Sequence, residues 1–340
     1  MAKILLVGYG YWGKIWYKTL KKSLHELVAV VDSRFTNGQC IIDTTLDSEE
    51  NISNVKKEFT HVIVATPADT HLNIYKQLKA LGIKDNKILI EKPIGCSLEE
   101  AEIMKDCCHD LVWLYDKTYK EVKNIIRSGR IGNIKLIQSF RASMGPRIRT
   151  DVSIIEDYLF HDIYLYLDLM NNKVKDISNI VSVNYTNLRK SMFTDYDSLI
   201  KQDTITVSLD DISSEHSATI ELFSSWIYPR KERKTIIVGT LGSIIWENDT
   251  IFINTSYYQK LNNSFDRDKN GNIGYELKDG SIIPQEIEPS KRSNLEKLLD
   301  DFIGKSLFDG EIPTSSFKTK QGNLAVQTHK VINKIKNIGD

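Results

Sequence analysis

Lys3-Ile-Leu-Leu-Val-Gly8-Tyr-Gly10-Tyr-Trp-Gly13 decides the fold: a short apolar strand runs straight into Gly-x-Gly-x-x-Gly and then into a helix-forming stretch. Each glycine has a task in that setting. Gly8 permits the tight turn, Gly10 lets backbone N–H groups approach a pyrophosphate, and Gly13 lets the following helix pack closely on the strand. The helix start offers unpaired N–H groups and a dipole that favour an anion. Farther on, the apolar run Leu27 to Val31 ends in Asp32, at the right distance for a carboxylate that accepts from an adenosine ribose hydroxyl. The stretch therefore reads as a dinucleotide-binding βαβ unit. Asp32 repels a 2′-phosphate and points to NAD. Ser33 and Arg34 would hold that phosphate if Asp32 turned away, which keeps NADP as the alternative.

The same rhythm continues outward. Apolar runs at Lys3 to Val7, Leu27 to Val31, His61 to Ala65, Lys87 to Ile90 and Asp110 to Leu114 alternate with helical periodicities, the pattern of a doubly wound parallel sheet. Leu72, Tyr75, Leu78 and Leu81 fall at helical spacing within Asp69 to Leu81. Ser97 caps a second helix, Leu98 to Met104, with Glu100 three residues on. Beyond about residue 130 strands follow one another directly: Ile134 to Arg141, Ile177 to Tyr185, Thr204 to Leu209, Ala218 to Phe223, Lys234 to Val238, Ser243 to Trp246 and Thr250 to Ile253. A helix at Ile154 to Met170 interrupts them, and two more, Asn294 to Ile303 and Ser315 to Ile335, close the chain. The expected fold is α/β plus α+β. A Rossmann domain over residues 1–115 precedes a domain over 116–340 built on a mainly antiparallel open sheet, with the final helix free to pack back on the first.

Bulk properties narrow the partners. The 340 residues carry 45 basic and 45 acidic side chains, a balance that gives no long-range field for nucleic acid or an anionic membrane. No signal-like start and no run of eighteen apolar residues is present, so a cytoplasmic protein is expected. Cys40, Cys96, Cys107 and Cys108 form no C-x-x-C pair and read as reduced thiols rather than a metal or redox site.

Two places carry chemistry. Glu91-Lys92-Pro93 follows the run Lys87 to Ile90, which puts Lys92 at the carboxyl end of a strand, the edge where open α/β sheets bind ligands. The proline keeps Lys92 out of the helical region. A solvated loop lysine is the plainer account. Asp157 and His161 stand four apart on a helix whose Tyr158, Leu159, Ile163, Leu165 and Leu167 make it apolar; a carboxylate so placed orients an imidazole. A surface pair or a core histidine is the competing account.

Taken together, Gly8-Tyr9-Gly10-Tyr11-Trp12-Gly13, then Ala65-Thr66-Pro67-x-x-x-His71, Glu91-Lys92-Pro93 and Asp157-x-x-x-His161-Asp162, in this order, resemble the glucose-fructose oxidoreductase, inositol dehydrogenase and rhizopine-catabolism (Gfo/Idh/MocA) family. The resemblance covers roughly the first half of the chain. It implies a nicotinamide-dependent oxidoreductase acting on a sugar, a cyclitol or a nucleotide-linked sugar. It also implies cofactor contacts from Gly8, Gly10, Tyr11, Trp12, Gly13, Asp32, Ser33, Arg34, Thr66, Pro67, His71, Glu91 and Lys92. Lys92 matches the lysine that contacts cofactor and reacting hydroxyl, His161 the general acid/base, and Asp157 its carboxylate partner. Hydride transfer from an alcohol needs such a base and a cation for the developing alkoxide. Phe160 and Tyr164 depart from the family pattern, which often has glycine or proline before the histidine and aspartate three residues after it.

Arg141, Arg147 and Arg149 precede the helix and, with Tyr164, are the residues expected to face substrate; three guanidinium groups there clamp a phosphate or carboxylate, or else form a solvated basic loop. Asp266-x-Asp268-x-Asn270-Gly271 imitates a calcium loop, but Leu277 stands where its glutamate belongs, and a hairpin is expected. Tyr75-x-x-x-Lys79 and Tyr17-x-x-x-Lys21 imitate a catalytic pair by chance. The expected partners are a sugar or nucleotide-sugar substrate and further copies of the chain, as a dimer or tetramer, because an open sheet face needs cover. A cofactor-binding sensor or scaffold without turnover and an imine- or tetrapyrrole-type reductase are the alternatives.

Overall fold

The computed structural model describes residues 1–34, 47–49, 52–55, 58–144, 152–170, 179–186, 202–213, 216–254, 283–286, 290–304 and 315–339. In chain order it begins with β1 (Lys3–Val7), α1 (Tyr11–Lys22), β2 (Glu26–Val31), β3 (Asp47–Glu49), β4 (His61–Val64), α2 (His71–Ala80), β5 (Ile88–Ile90), α3 (Leu98–Ile103) and β6 (Cys108–His109). Then come α4 (Lys117–Arg127), β7 (Ile134–Met144), a π-turn (Ile155–Leu159) leading into α5 (Phe160–Leu169), and β8 (Asn179–Thr186). The strands β9 (Thr204–Ser213), β10 (His216–Ser225), β11 (Ile227–Gly239), β12 (Ser243–Glu247), β13 (Thr250–Asn254) and β14 (Ile283–Glu286) precede α6 (Asn294–Ile303) and α7 (Ser315–Gly339).

The chain divides into two compact units: Met1–Tyr115 with Lys291–Asn333, and Asp116–Ser290 with Lys334–Asp340. Residues 291–333 therefore count with the first unit, where the sequence placed all of 116–340 in the second domain and left only the final helix free to pack back.

In the first unit six parallel strands run in the order β3-β2-β1-β4-β5-β6. Alternate residues feed two cores, as strand geometry requires. Ile4, Leu6, Val30, Ile63 and Leu89 meet Trp16 and Leu20 of α1 and Leu295, Leu298, Leu299 and Phe302 of α6. Leu5, Val7, Val31, Val62, Val64 and Ile90 meet Leu78 of α2, Met104 and Ala325 of α7. The expected strand at Asp110 to Leu114 is displaced: β6 is Cys108–His109, and Val112–Tyr115 is a 3-10 turn. Tyr115 explains the turn, because its hydroxyl is drawn to Asp301 and accepts from Gln321 Nε2 at 2.9 Å, partners that sit on helices rather than on a neighbouring strand. Ser97 caps α3 by accepting from the Glu100 N–H, and Ser293 and Glu296 form a reciprocal cap on α6, which Gly304 ends in the left-handed region (φ 83°).

The second unit holds an eight-stranded sheet in the order β14-β13-β12-β11-β7-β10-β9-β8. Every pairing is antiparallel except β10 with β7. The π-turn and α5 cover one face; α4 packs by β12, where the rings of Tyr119 and Trp246 lie 5.8 Å apart. The helix α4 went unread in the sequence, although Asp116 caps it and Tyr119, Val122 and Ile125 are buried at helical spacing. Arg147, Arg149, Cys40 and the calcium-loop mimic Asp266 to Gly271 lie outside the described residues.

Candidate functional site

Strand pairing in the first unit continues one residue past the strands. Gly8 N–H donates to Val31 O (2.7 Å), Ala65 N–H to Val7 O (2.7 Å), Glu91 N–H to Val64 O (3.0 Å) and Asp110 N–H to Ile90 O (2.9 Å). These bonds set the glycine turn, Asp32, the Ala65-Thr66-Pro67 loop, Glu91-Lys92 and Asp110 in one row along the carboxyl edge of the sheet.

The three glycines differ in what demands them. Gly8 has φ +95° and a Cβ there would stand 2.6 Å from Ala65 O; a Cβ on Gly13 would stand 2.1 Å from Gly8 O. Both are required by packing within the protein. A Cβ on Gly10 would meet nothing within 4 Å, so the protein itself gives no steric reason for glycine there. Gly10 is also the N-cap of α1 and contributes no side-chain cap, which leaves first-turn N–H groups to an external acceptor. This cradle fits a pyrophosphate. Tyr11 is 77 % exposed beside it, its ring edge-to-face with Trp12.

Asp32 is buried and held from three directions: Tyr9 N–H donates to Oδ2 at 2.6 Å, and Arg34 donates through N–H (3.0 Å) and Nε (2.7 Å) to Oδ1 and through Nη2 (2.7 Å) to Oδ2. Burial raises its pKa, but these donors outweigh burial and hold it below the usual carboxylate range. Arg34, mostly exposed, thus lies on the carboxylate. Ser33 is exposed next to it.

His71 opens α2. It is buried, with Nε2 2.9 Å from Thr66 O and Nδ1 3.0 Å from Ile94 O, so its ring ties the loop after β4 to the loop after β5. Burial pushes its pKa down against the pull of those carbonyls. Thr66 also accepts from Thr70 Oγ1 (2.7 Å), which donates to Pro67 O as well (2.7 Å). Glu91 turns inward: Trp16 Nε1 donates to its Oε1 at 2.8 Å, and its carboxyl is hydrogen-bonded to that of Asp110. Burial raises the pKa of both, and Glu91 pushes Asp110 well above the carboxylate range. Lys92, also buried, acts electrostatically on both carboxyls, and its peptide bond to Pro93 is cis. The sequence reading missed Asp110 and Trp16; Asp110 directly follows β6, and only the pairing of β5 with β6 brings it beside Glu91.

In the second unit Asp157 lies in the π-turn and His161 in the first turn of α5. Asp157 Oδ2 accepts from Trp226 Nε1 at 3.2 Å, and His161 Nδ1 lies 3.4 Å from the buried Tyr164 hydroxyl. Tyr158 hydroxyl meets Ser143 Oγ at 2.6 Å. Arg141 does not present an open clamp: its Nε and Nη2 each donate to Asp162 at 2.9 Å, a buried bidentate pair. The mimic Tyr75/Lys79 is likewise spoken for, since Tyr75 hydroxyl and Lys79 Nζ both donate to Asp85 at 2.9 Å.

Residues 2–112 match GFO_IDH_MocA, the oxidoreductase family with an NAD-binding Rossmann fold. That match covers about a third of the chain. Within curated proteins the chain is 28 % identical over 152 residues to the rhizopine catabolism protein MocA of Rhizobium meliloti, covering 42 % of this chain and 47 % of that protein. It is 34 % identical over 122 residues to glucose-6-phosphate 3-dehydrogenase of Bacillus subtilis, covering 33 % of this chain and 34 % of that enzyme. The alignments thus span about half and a third of these relatives. Among solved structures, UDP-N-acetylglucosamine 3-dehydrogenase GnnA of Acidithiobacillus ferrooxidans shares the fold over 96 % of both chains, with TM-score 0.65 and 16 % identity. The matched family is described by an NAD-binding Rossmann fold, in agreement with a nicotinamide dinucleotide as the cofactor. Among the described residues no helix is long and apolar enough to cross a membrane.

Proposed function

We propose that the chain is an NAD-linked oxidoreductase that moves a hydride between nicotinamide and a secondary alcohol or ketone of a nucleotide-linked or modified sugar. The observation that carries this is Gly10: the one fingerprint glycine with no demand from its own protein, at an uncapped helix start beside Asp32. NAD supplies the redox chemistry when bound. In this scheme Gly8, Gly10 and Gly13 with the first turn of α1 hold the pyrophosphate, and Asp32 accepts from the adenosine ribose. Lys92 stabilises the developing alkoxide, and His161 takes or returns the hydroxyl proton, oriented through Tyr164 and backed by Asp157. His71 and Glu91 fix the loops that present Thr66, Pro67 and Lys92. Arg141 leaves the scheme as a substrate clamp because Asp162 occupies its fork.

Similarity to glucose-6-phosphate 3-dehydrogenase supports a sugar as the substrate class. Self-association through the second sheet belongs to the same proposal. Phe140 and Phe223 stack at 4.3 Å on its open face with Tyr228 5.2 Å away, and Leu136, Ile236, Val238 and Ile245 lie half-exposed at matching register.

The test is a panel of sugars and nucleotide-sugars with NAD, read by NADH absorbance. Lys92→Ala should abolish turnover and leave NADH affinity within about threefold. Undiminished turnover in that variant sinks the assignment. Tight NADH binding by the unaltered protein with no turnover on any substrate favours the sensor.

A further inference from the structure

Two carboxyl groups meet in the dry edge of the first unit, and the hydride-transfer scheme uses Glu91 only to fix a loop and Asp110 not at all. Glu91 leaves β5 and Asp110 leaves β6, neighbouring parallel strands, so backbone pairing alone sets them side by side. They are 4 % and 2 % exposed and hydrogen-bonded to each other. A hydrogen bond between two carboxyls needs a proton, since two bare carboxylates have acceptors only. The donors are shared unequally. Glu91 receives the Trp16 indole N–H at 2.8 Å and the Lys92 backbone N–H, while Asp110 receives the Val112 N–H. Asp110 Oδ1 is buried with no hydrogen-bond partner, a tolerable state for a neutral acid and a costly one for an ion. Lys92 is the charged group facing both.

We infer that Glu91 and Asp110 hold a single proton between them, carried by Asp110 and donated to an ionised Glu91. The pair acts as a positioning unit whose one negative charge balances the buried Lys92 ammonium. Two ionised carboxyls would set two negative charges side by side in a buried place, whereas one shared proton leaves a single negative charge facing Lys92. The inference rests on the proposed role of Lys92 for its bearing on catalysis, but not for its test.

The experiment is infrared difference spectroscopy on the full chain with isotope-labelled aspartate, without nucleotide. Between about pH 6 and 8 an ordinary aspartate is ionised, so the labelled protein should show one protonated carboxyl band. Asp110→Asn should remove that band, and Glu91→Gln should change its frequency. Lys92→Met should make the pair take up a second proton: in protein labelled at glutamate a further protonated band appears over the same range. No protonated aspartate band in the unaltered protein overturns the shared proton. Band positions and titration unchanged in Lys92→Met overturn the charge balance. If instead Lys92→Ala keeps full turnover while both band shifts occur, the positioning unit stands and only the catalytic role of Lys92 falls.

Discussion

Replacing Gly10 by alanine separates a demand of the ligand from a demand of the fold. A Cβ at Gly10 meets nothing of the protein within 4 Å, whereas one at Gly13 meets Gly8 O at 2.1 Å and Gly8 C at 2.8 Å, both rigid backbone atoms. Gly10→Ala should therefore change stability little. Alanine is a slightly poorer N-cap than glycine, but it lowers the entropy of the unfolded chain, and the two effects are each below about 1 kcal/mol and opposed. Gly13→Ala must shift α1 off β1 and disturb the packing of Trp16 and Leu20, at a cost of about 1 to 3 kcal/mol or more. For nucleotide the order reverses. The methyl of Gly10→Ala occupies the approach of the pyrophosphate to the first-turn N–H groups, and losing one such charge-assisted hydrogen bond costs about 2 to 3 kcal/mol. That corresponds to a rise in NADH Kd of about 30- to 150-fold. Calorimetric titration with NADH and thermal unfolding of both variants give the comparison. NADH affinity within threefold in Gly10→Ala, or a Tm lowered as far as in Gly13→Ala, would refute the reasoning.

Other perturbations read other parts of the structure. His109 is fully buried and burial pushes its pKa from 6.5 down to about 4; the unfolded chain therefore binds a proton that the native protein refuses across that window. Stability should fall as pH drops from about 6.5 to 4, by about 3 kcal/mol from this group, and His109→Gln should flatten that limb in urea unfolding. Breaking the buried pair by Asp162→Asn leaves Arg141 uncompensated next to Arg233, which already feels its charge, and should destabilise the second unit by about 3 to 5 kcal/mol without altering NADH affinity. Parallel losses of stability and nucleotide binding would contradict that. Arg34→Ala frees both oxygens of Asp32 and removes the guanidinium available to a 2′-phosphate. NADPH should weaken at least about tenfold while NADH holds, and equal changes for both nucleotides would rule out that role for Arg34.

The first half of the fold was legible because its signals are local. Gly8-x-Gly10-x-x-Gly13 after an apolar strand, Asp32 after the next, and the Ser97 cap each report their own few residues. The short strands β3 and β14 were not legible, since three or four residues carry too little periodicity to stand out. At the candidate site Asp157 lies in a π-turn and His161 in the α-helix that follows, a change of helix type that residue spacing alone does not announce. Arg141 illustrates the same limit: nothing local says that Asp162, twenty-one residues on, fills its fork. Asp110 and Glu91 are neighbours only through the pairing of β5 with β6, so their contact exists at the level of sheet order alone.

The first unit is discontinuous in sequence, and this bears on its biosynthesis. One of its two cores is closed by Leu295, Leu298, Leu299 and Phe302, and the other includes Ala325. A ribosome that has emitted only residues 1–115 has made a sheet whose flanks still lack their last covering helices. The first unit must wait, with apolar surface bare, until residues 291–333 have emerged. Fragments cut after Tyr115 should for this reason aggregate, whereas co-expression with a piece spanning 291–333 should restore a nucleotide-binding body.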